Sequence, residues 1–414
     1  MSTLKLLALT YGTEGDTRPI ANLCRALMDV GHEVVLLAAE GTLGSARALG
    51  VPHAALAGDI RGTHDPWAGV ASLVNAQSNV ITTVRTAARL ANAHTADWMR
   101  QAIEAARGGH GLLVSGLATY AGLSVAEHLR LPALSLALAP TAPTAAFPSP
   151  LVPSHVPRWL NRASHHLVNA MLWRAFRPAV NTARKDVCGL PARRTMATSN
   201  AVLHGVSRHL LPTPSDWPRV VRLCGQWAHP TQGWIPEASL QAFLDAGEPP
   251  VYLGFGSMTG FDPHTMLRTL LAAIGSRRAL FYPGWSGADT RDLPSNVHVI
   301  GDTPHDWLFP RTAAVVHHGG SGTSHSAARA GVPSVVLPFA VDQFFWANRL
   351  RQLGVAPPSP TGRAPQAGAL ARALDAAQAP LMRERAAELG AAMRAEDGLG
   401  ATVREIEALL SRPA

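Results

Sequence analysis

Three clusters in this sequence have the residue types and spacing to do chemistry. The first is "HHGGSGT", His317 to Thr323, where glycines separate an apolar run from a stretch of small residues that reads as a helix. A helix N-terminus leaves backbone N–H groups unpaired and carries about +0.5 of an elementary charge. Gly319, Gly320 and Gly322 clear side chains from the approach of a phosphate, and Ser321 and Thr323 add hydroxyl donors. His318, just ahead of the glycines, can donate one more hydrogen bond to a phosphate oxygen. The second cluster is the acid–amide pair Asp342-Gln343, which ends the next apolar run. A carboxylate accepts from two hydroxyls, while an amide both donates and accepts. The third is Asp16 in "YGTEGD", in the loop after the first apolar run.

Each cluster has a plainer reading beside the chemical one. Glycines also serve any tight strand–helix connection, Asp342 also suits a helix N-cap, and Asp16 also suits a helix start as a stabilising charge. The glycine spacing departs from G-x-x-x-x-G-K-[ST], having no lysine to reach a terminal phosphate, and from G-x-G-x-x-G at a first strand.

Such residues need strands that end at one edge of a sheet. "LKLLALT" (4–10) predicts a strand, and the next helix is expected from about Pro19 to Val30, with Asp16 in the loop before it. "HEVVLLAA", "VPHAAL", "GLLVSG" and "LPALSLAL" predict further strands alternating with helices, the pattern of βαβ units. Residues 62–107 read as helical but irregular, and the proline-rich segment 139–157 as a long loop. The amphipathic helix that follows is expected to place Leu160, Leu167, Met171, Leu172 and Phe176 on its apolar face, with Arg162, Arg174 and Arg184 opposite. It either packs on the sheet or presents a basic amphipathic surface to lipid or to an apolar acceptor.

From Pro249 the pattern restarts, with strands at "PPVYLGFGS", "RALFYPGW", "NVHVIGD", "TAAVVHH" and "PSVVLPF". The expected fold class is α/β, two doubly wound Rossmann-like domains facing a cleft, with ligands outside the carboxyl ends of the strands. The domains are drawn at 1–230 and 247–380, joined by a linker at 231–246, with helices at 381–414 that can return to the first domain.

A chain of 414 residues with 47% hydrophobic and 15% charged residues has the composition of a globular protein with a large core. Three widely spaced cysteines form neither a disulfide framework nor a zinc pattern, and imply a reducing compartment. No run of about 18 apolar residues predicts a membrane span, and the start lacks signal-peptide features. A cytoplasmic protein is expected, with peripheral membrane contact as the alternative. The net charge of +8 is carried almost wholly by arginine, since lysine occurs only at Lys5 and Lys185. That charge suits an anionic substrate or an acidic membrane. No basic run interleaves with aromatics, so nucleic acid is not expected as a partner.

"HHGGSGTSHSAARAGVPSVVLPFAVDQFFWANRL" resembles the donor-binding signature of family 1 glycosyltransferases with the GT-B fold. "PHDWLFPRTAAVVHHGGSGT" and "GWSG" are most similar to the branch of sterol glucosyltransferases and of glycopeptide and polyketide glycosyltransferases, and "YGTEGDTRP" is similar to the loop opening that branch's acceptor domain. The resemblance implies that His318 and Gly319–Thr323 hold the pyrophosphate, and that Asp342 and Gln343 face the sugar hydroxyls. It puts Ser257 near the phosphates, Gly12 with the donor-binding residues, and Asp16 as general base. Three positions depart from the family pattern. Ile300 stands where relatives carry a tryptophan, Thr303 where a ribose-binding glutamine is expected, and Ser326 where a glutamate is expected. These departures permit a deoxyribose donor such as a dTDP-sugar as well as UDP; Trp285 is a candidate to stack on the base. The implied reaction is inverting transfer of a hexose or deoxyhexose from a nucleoside-diphosphate sugar to an apolar acceptor. Neither a metal nor another cofactor is expected. A nucleotide-sugar epimerase, or a non-catalytic activator of a partner glycosyltransferase, is the alternative.

Overall fold

The structure, a computed structural model, describes residues 3–58, 80–152, 156–196, 200–231, 233–256, 262–284, 286–360 and 366–410. The chain divides into two compact units. One comprises residues 1–208, 212–229 and 397–414, the other residues 209–211 and 230–396.

The first unit is built on seven parallel strands: β1 (Lys5–Tyr11), β2 (Glu33–Ala39), β3 (His53–Leu56), β4 (Gly111–Gly116), β5 (Ala133–Ala137), β6 (Val202–His204) and β7 (Val221–Leu223). Their order is β3-β2-β1-β4-β5-β6-β7. In β1 every residue but Lys5 is buried, as expected for a central parallel strand covered on both faces by helices. The second unit has five parallel strands: β8 (Val251–Gly254), β9 (Ala279–Tyr282), β10 (Val297–Val299), β11 (Ala314–His317) and β12 (Ser334–Val336). Their order is β10-β9-β8-β11-β12. Both sheets are doubly wound α/β, the fold class expected from the sequence.

The chain reverses its direction of travel across the first sheet between β1 and β4, and across the second between β8 and β11. Loops diverge at such a switch point and leave a crevice at the carboxyl ends of the strands. The Gly12–Asp16 segment follows β1, and the glycine turn follows β11. Each set of candidate residues therefore lies at the switch point of its own sheet.

Two local expectations are corrected. The first helix, α1, runs from Glu14 to Asp29, five residues earlier than expected, so Asp16 is in its first turn and Pro19 is inside it. Thr13 at the N-cap and Asp16 three residues on begin the helix; Pro19 withholds one N–H from the Gly15 carbonyl and does not mark the start. The helix Asn161–Asp186 is also phased differently. It buries His165, Val168, Trp173, Phe176, Val180 and Arg184, while Leu167 is 62% exposed. Arg184 goes inward because Glu127 waits there: its Nη1 lies 2.8 Å from Oε2 and its Nη2 3.2 Å from Oε1.

The helix Pro380–Arg394 belongs to the second unit and Gly398–Leu410 to the first. There Trp227 Nε1–H donates to Thr402 Oγ1 at 2.6 Å. No helix among the described residues is long and apolar enough to cross a membrane.

Candidate functional site

The glycine turn is shaped by contacts on both sides. Gly319 has φ +89°, a left-handed conformation, and a Cβ there would stand 2.8 Å from Val336 Cγ1 and 2.9 Å from the Gln343 carbonyl oxygen. Only glycine fits both the dihedral and the space. A Cβ on Gly320 would collide with His318 Nε2. The turn therefore lies against the imidazole on one side and the start of the acid–amide helix on the other.

The cradle helix spans Ser321–Ala330 with Gly320 at its N-cap, starting two residues before the expected Thr323. Ser321, Gly322 and Thr323 thus form its first turn, and the helix offers no carbonyl to the amides of Gly320, Gly322 and Thr323. Gly322 is exposed, which leaves the turn open to solvent.

Three histidines surround this turn, and burial keeps all of them neutral near pH 7. His317, fully buried at the end of β11, accepts the Gly319 N–H on Nδ1 at 3.1 Å. Its proton therefore sits on Nε2, which is buried without a hydrogen-bond partner among the described residues. Burial, with His318 and His305 adding like charge, pushes its pKa well below the usual value. Burial lowers His318 to about 4. His318 Nδ1 is likewise buried and unpartnered among the described residues. Buried polar atoms are nearly always paired, and this one is left over. Burial also lowers His325 to about 4; its Nδ1–H donates to the Ser321 carbonyl at 2.7 Å.

Asp342 and Gln343 sit where the second apolar run ends. Asp342 occupies the N-cap position of the helix Gln343–Gln352, yet its side chain makes no capping bond. Oδ2 instead accepts the Trp346 indole N–H at 2.9 Å. Gln343 is 4% exposed. Its Oε1 accepts the Phe339 N–H at 2.7 Å and the Ala340 N–H at 3.0 Å. That oxygen, the acceptor half of the amide, holds the backbone.

In the other unit, Asp16 Oδ2 accepts the Thr13 N–H at 2.7 Å and the Thr13 hydroxyl at 3.1 Å. Burial raises its pKa above the usual carboxylate range, while the two bonds from Thr13 oppose that shift. A Cβ on Gly12 would collide with this carboxylate, so Gly12 makes the room Asp16 occupies.

The structure thus brings together His318, Gly319, Gly320, Ser321, Gly322, Thr323, Asp342 and Gln343 in one unit, and Gly12 with Asp16 in the other. Thr303, 7% exposed, lies past the edge strand β10, its hydroxyl donating to the Gly301 carbonyl at 3.2 Å. Ser257 and Trp285 fall outside the described residues. Sequence reasoning missed Thr13, His325 and Trp346. Thr13 was within reach, since Thr-x-x-Asp before an apolar stretch is a capping-box spacing. Among the described residues no group of three or more His, Cys, Asp or Glu side chains is placed to hold a metal ion.

Comparison with known proteins agrees with this arrangement. Residues 279–409 match the family described as "Erythromycin biosynthesis protein CIII-like, C-terminal domain". The chain is 30% identical over 416 residues to a sterol 3-beta-glucosyltransferase of Arabidopsis thaliana, covering 97% of this chain and 67% of that protein. It is 29% identical over 425 residues to a sterol 3-beta-glucosyltransferase of Aspergillus fumigatus, covering 98% of this chain but 30% of that protein. It therefore spans about two thirds of the plant relative's length and under a third of the fungal one's. Among solved structures, the glycosyltransferase VinC in complex with dTDP aligns with a TM-score of 0.71 at 17% identity, over 99% of this chain and 100% of that one. That likeness is one of fold, two parallel-sheet α/β units of the GT-B type. The signature around the glycine turn, the two doubly wound sheets and the likeness to the plant enzyme over 97% of this chain agree: this chain is a member of the family 1 glycosyltransferases.

Proposed function

We propose that this protein transfers a hexose or deoxyhexose from a UDP- or dTDP-sugar to a hydroxyl of an apolar acceptor, a sterol, lipid or natural-product aglycone, in one inverting displacement. The observation that carries the proposal is the His318 imidazole, whose Nε2 lies against Gly320 at the open first turn of the cradle helix. The diphosphate oxygens fit there, hydrogen-bonded by backbone amides and a neutral imidazole. Asp342 and Gln343 face the sugar hydroxyls. Asp16 takes the acceptor hydroxyl's proton while that oxygen bonds to the anomeric carbon. The bond from that carbon to the diphosphate oxygen breaks with its electron pair, and the helix start stabilises the charge that develops on the departing nucleoside diphosphate.

Several observations support parts of this reading. The raised pKa of Asp16 suits a base, because a carboxylate nearer neutrality takes a proton more readily. The sterol glucosyltransferase relatives make a sterol the first acceptor to try, and the dTDP bound by VinC makes thymidine a donor base to compare with uridine. The experiment is a panel of UDP- and dTDP-sugars with a sterol and a polyketide aglycone, with and without EDTA. The product anomer is read by NMR. Glycoside of inverted configuration, formed equally in EDTA, supports the proposal. A retained anomer refutes the single displacement, and activity abolished by EDTA refutes the role given to the helix start.

We also infer peripheral contact with an anionic lipid surface through the outer face of the helix Asn161–Asp186 and the turn before it. Trp159 is 81% exposed and Leu167 62% exposed on that face. Arg158, Arg174, Arg177 and Lys185 are exposed along the same segment, while Arg162 is ion-paired with Asp216 at 2.6 Å; no Asp or Glu occurs within 158–185 itself. An exposed interfacial aromatic on a segment rich in cations suits acidic headgroups. Sedimentation with vesicles containing phosphatidylserine should carry the protein down, and Trp159→Ala with Leu167→Ala should release it. Equal binding to phosphatidylcholine vesicles, or none to either, refutes it.

A further inference from the structure

We propose that Trp346 is a positioning residue that fixes Asp342 relative to the phosphate cradle, with His325 as its brace; the inference rests on the glycosyl-transfer reading above. Asp342 is at a helix N-cap, where an aspartate ordinarily turns its carboxylate onto the amides of the first turn. Here it makes no such bond and accepts the indole N–H of Trp346 at 2.9 Å instead. The residue before it, Val341, has φ 56°. A β-branched side chain rarely adopts that left-handed conformation, and it persists only where surrounding contacts enforce it. Trp346 is 0% exposed, so its N–H cannot turn to water, and losing Asp342 as acceptor would leave a buried donor unpaired.

The same indole reaches the cradle. Its ring meets the His325 imidazole edge-on, with centroids 4.9 Å apart and planes at 72°. His325, 1% exposed, bonds through Nδ1–H to the carbonyl of Ser321, the first residue of the cradle helix. From Asp342 through Trp346 and His325 to Ser321 there is one continuous run of contacts. Its ends are the two places where the proposed donor is held, the sugar hydroxyls and the diphosphate. The packing of Gly319 against the Gln343 carbonyl joins the same two segments a second time. In a packed interior such a run has little freedom to stretch. The spacing between the two subsites, and with it the discrimination of a sugar nucleotide from the bare diphosphate, is set by the indole.

The test is the benzothiophene isostere of the Trp346 indole, which nearly keeps its shape and removes the N–H, with Trp346→Phe, which keeps a smaller ring and also lacks the N–H, as a second variant. Calorimetric affinities are measured for UDP, dTDP and the corresponding sugar nucleotides, beside transfer rates. The expected result is diphosphate affinity within about twofold of wild type and sugar-nucleotide affinity or kcat/KM reduced ~10-fold or more in both variants. Combined with Asp342→Asn, the loss should be no greater than for Asp342→Asn alone, because residues acting as a unit are not additive. Variants that discriminate sugar nucleotide from diphosphate as wild type does overturn the inference, as do variants that lose both affinities equally. Failure of the underlying reading looks different: wild-type protein binding no nucleotide would remove the inference with it.

Discussion

Asp16→Asn separates a catalytic base from a helix cap because the two roles predict different magnitudes. The carboxylate's Oδ2 accepts two bonds from Thr13, at 2.7 and 3.1 Å. An asparagine carbonyl oxygen can accept the same two bonds in nearly the same volume. What folding loses is the negative charge in the first turn of α1, about 0.3–1 kcal/mol, and part of the charge assistance to the Thr13 bonds. The total is roughly 1 kcal/mol, or a melting shift of about 2–4 °C for a unit of this size. A positioned general base contributes typically 10²–10⁴-fold, which is about 2.7–5.4 kcal/mol of barrier. The variant should therefore melt close to wild type, bind nucleoside diphosphate as wild type does, and turn over at least ~100-fold more slowly. The pH profile adds a second reading. The base works only when deprotonated, and burial raises its pKa above the usual 3.8, so the acid limb of kcat/KM should lie above the ordinary carboxylate range and vanish in the variant. Glycoside formation timed by liquid chromatography, beside a thermal melt, makes the measurement. Turnover within a few-fold of wild type, with the melt lowered by about 1 kcal/mol or more, would show Asp16 to be a cap and refute the argument.

Other outcomes follow from the same contacts. Gly319→Ala forces a Cβ against Val336 and the Gln343 carbonyl at an unfavourable φ, costing about 1–2 kcal/mol for the dihedral alone; calorimetry should show weaker diphosphate binding with a lowered melting point. His318→Ala removes one hydrogen bond to a charged group, about 1.5–3 kcal/mol, so UDP or dTDP should bind roughly 10–100-fold more weakly by titration calorimetry. Glu127→Ala leaves the fully buried Arg184 without its carboxylate, and chemical denaturation should register a loss of about 3 kcal/mol. In the wild type, hydrogen bonds from Arg184 oppose the effect of burial and hold Glu127 at about 2, below its usual 4.5. Its contribution is complete above pH 4.5 and fades as pH falls toward 2, and acid denaturation should lose that dependence in Glu127→Gln.

The sequence by itself determined the strands and the glycine turn, because both signals are local. Apolar runs such as "LKLLALT" and "TAAVVHH" can be covered on two faces only in a parallel sheet, and Gly319 occupies a backbone conformation and a space that other residues do not tolerate. The resemblance around 300–345 added the family, which the likeness to the plant relative shows independently. The start of α1 was also locally encoded, in Thr13 and Asp16, but Pro19 carried the more familiar signal. Tertiary structure alone decided the rest, since a side chain's partner is chosen by what the fold brings to it. Arg184 is buried because Glu127, from another helix, meets its guanidinium, and Leu167 is exposed. The Gln343 carbonyl is spent on the Phe339 and Ala340 amides, which no spacing discloses. Asp342 meets an indole one turn along its own helix, whose ring packs edge-on against His325 of another helix, a contact that no local spacing discloses.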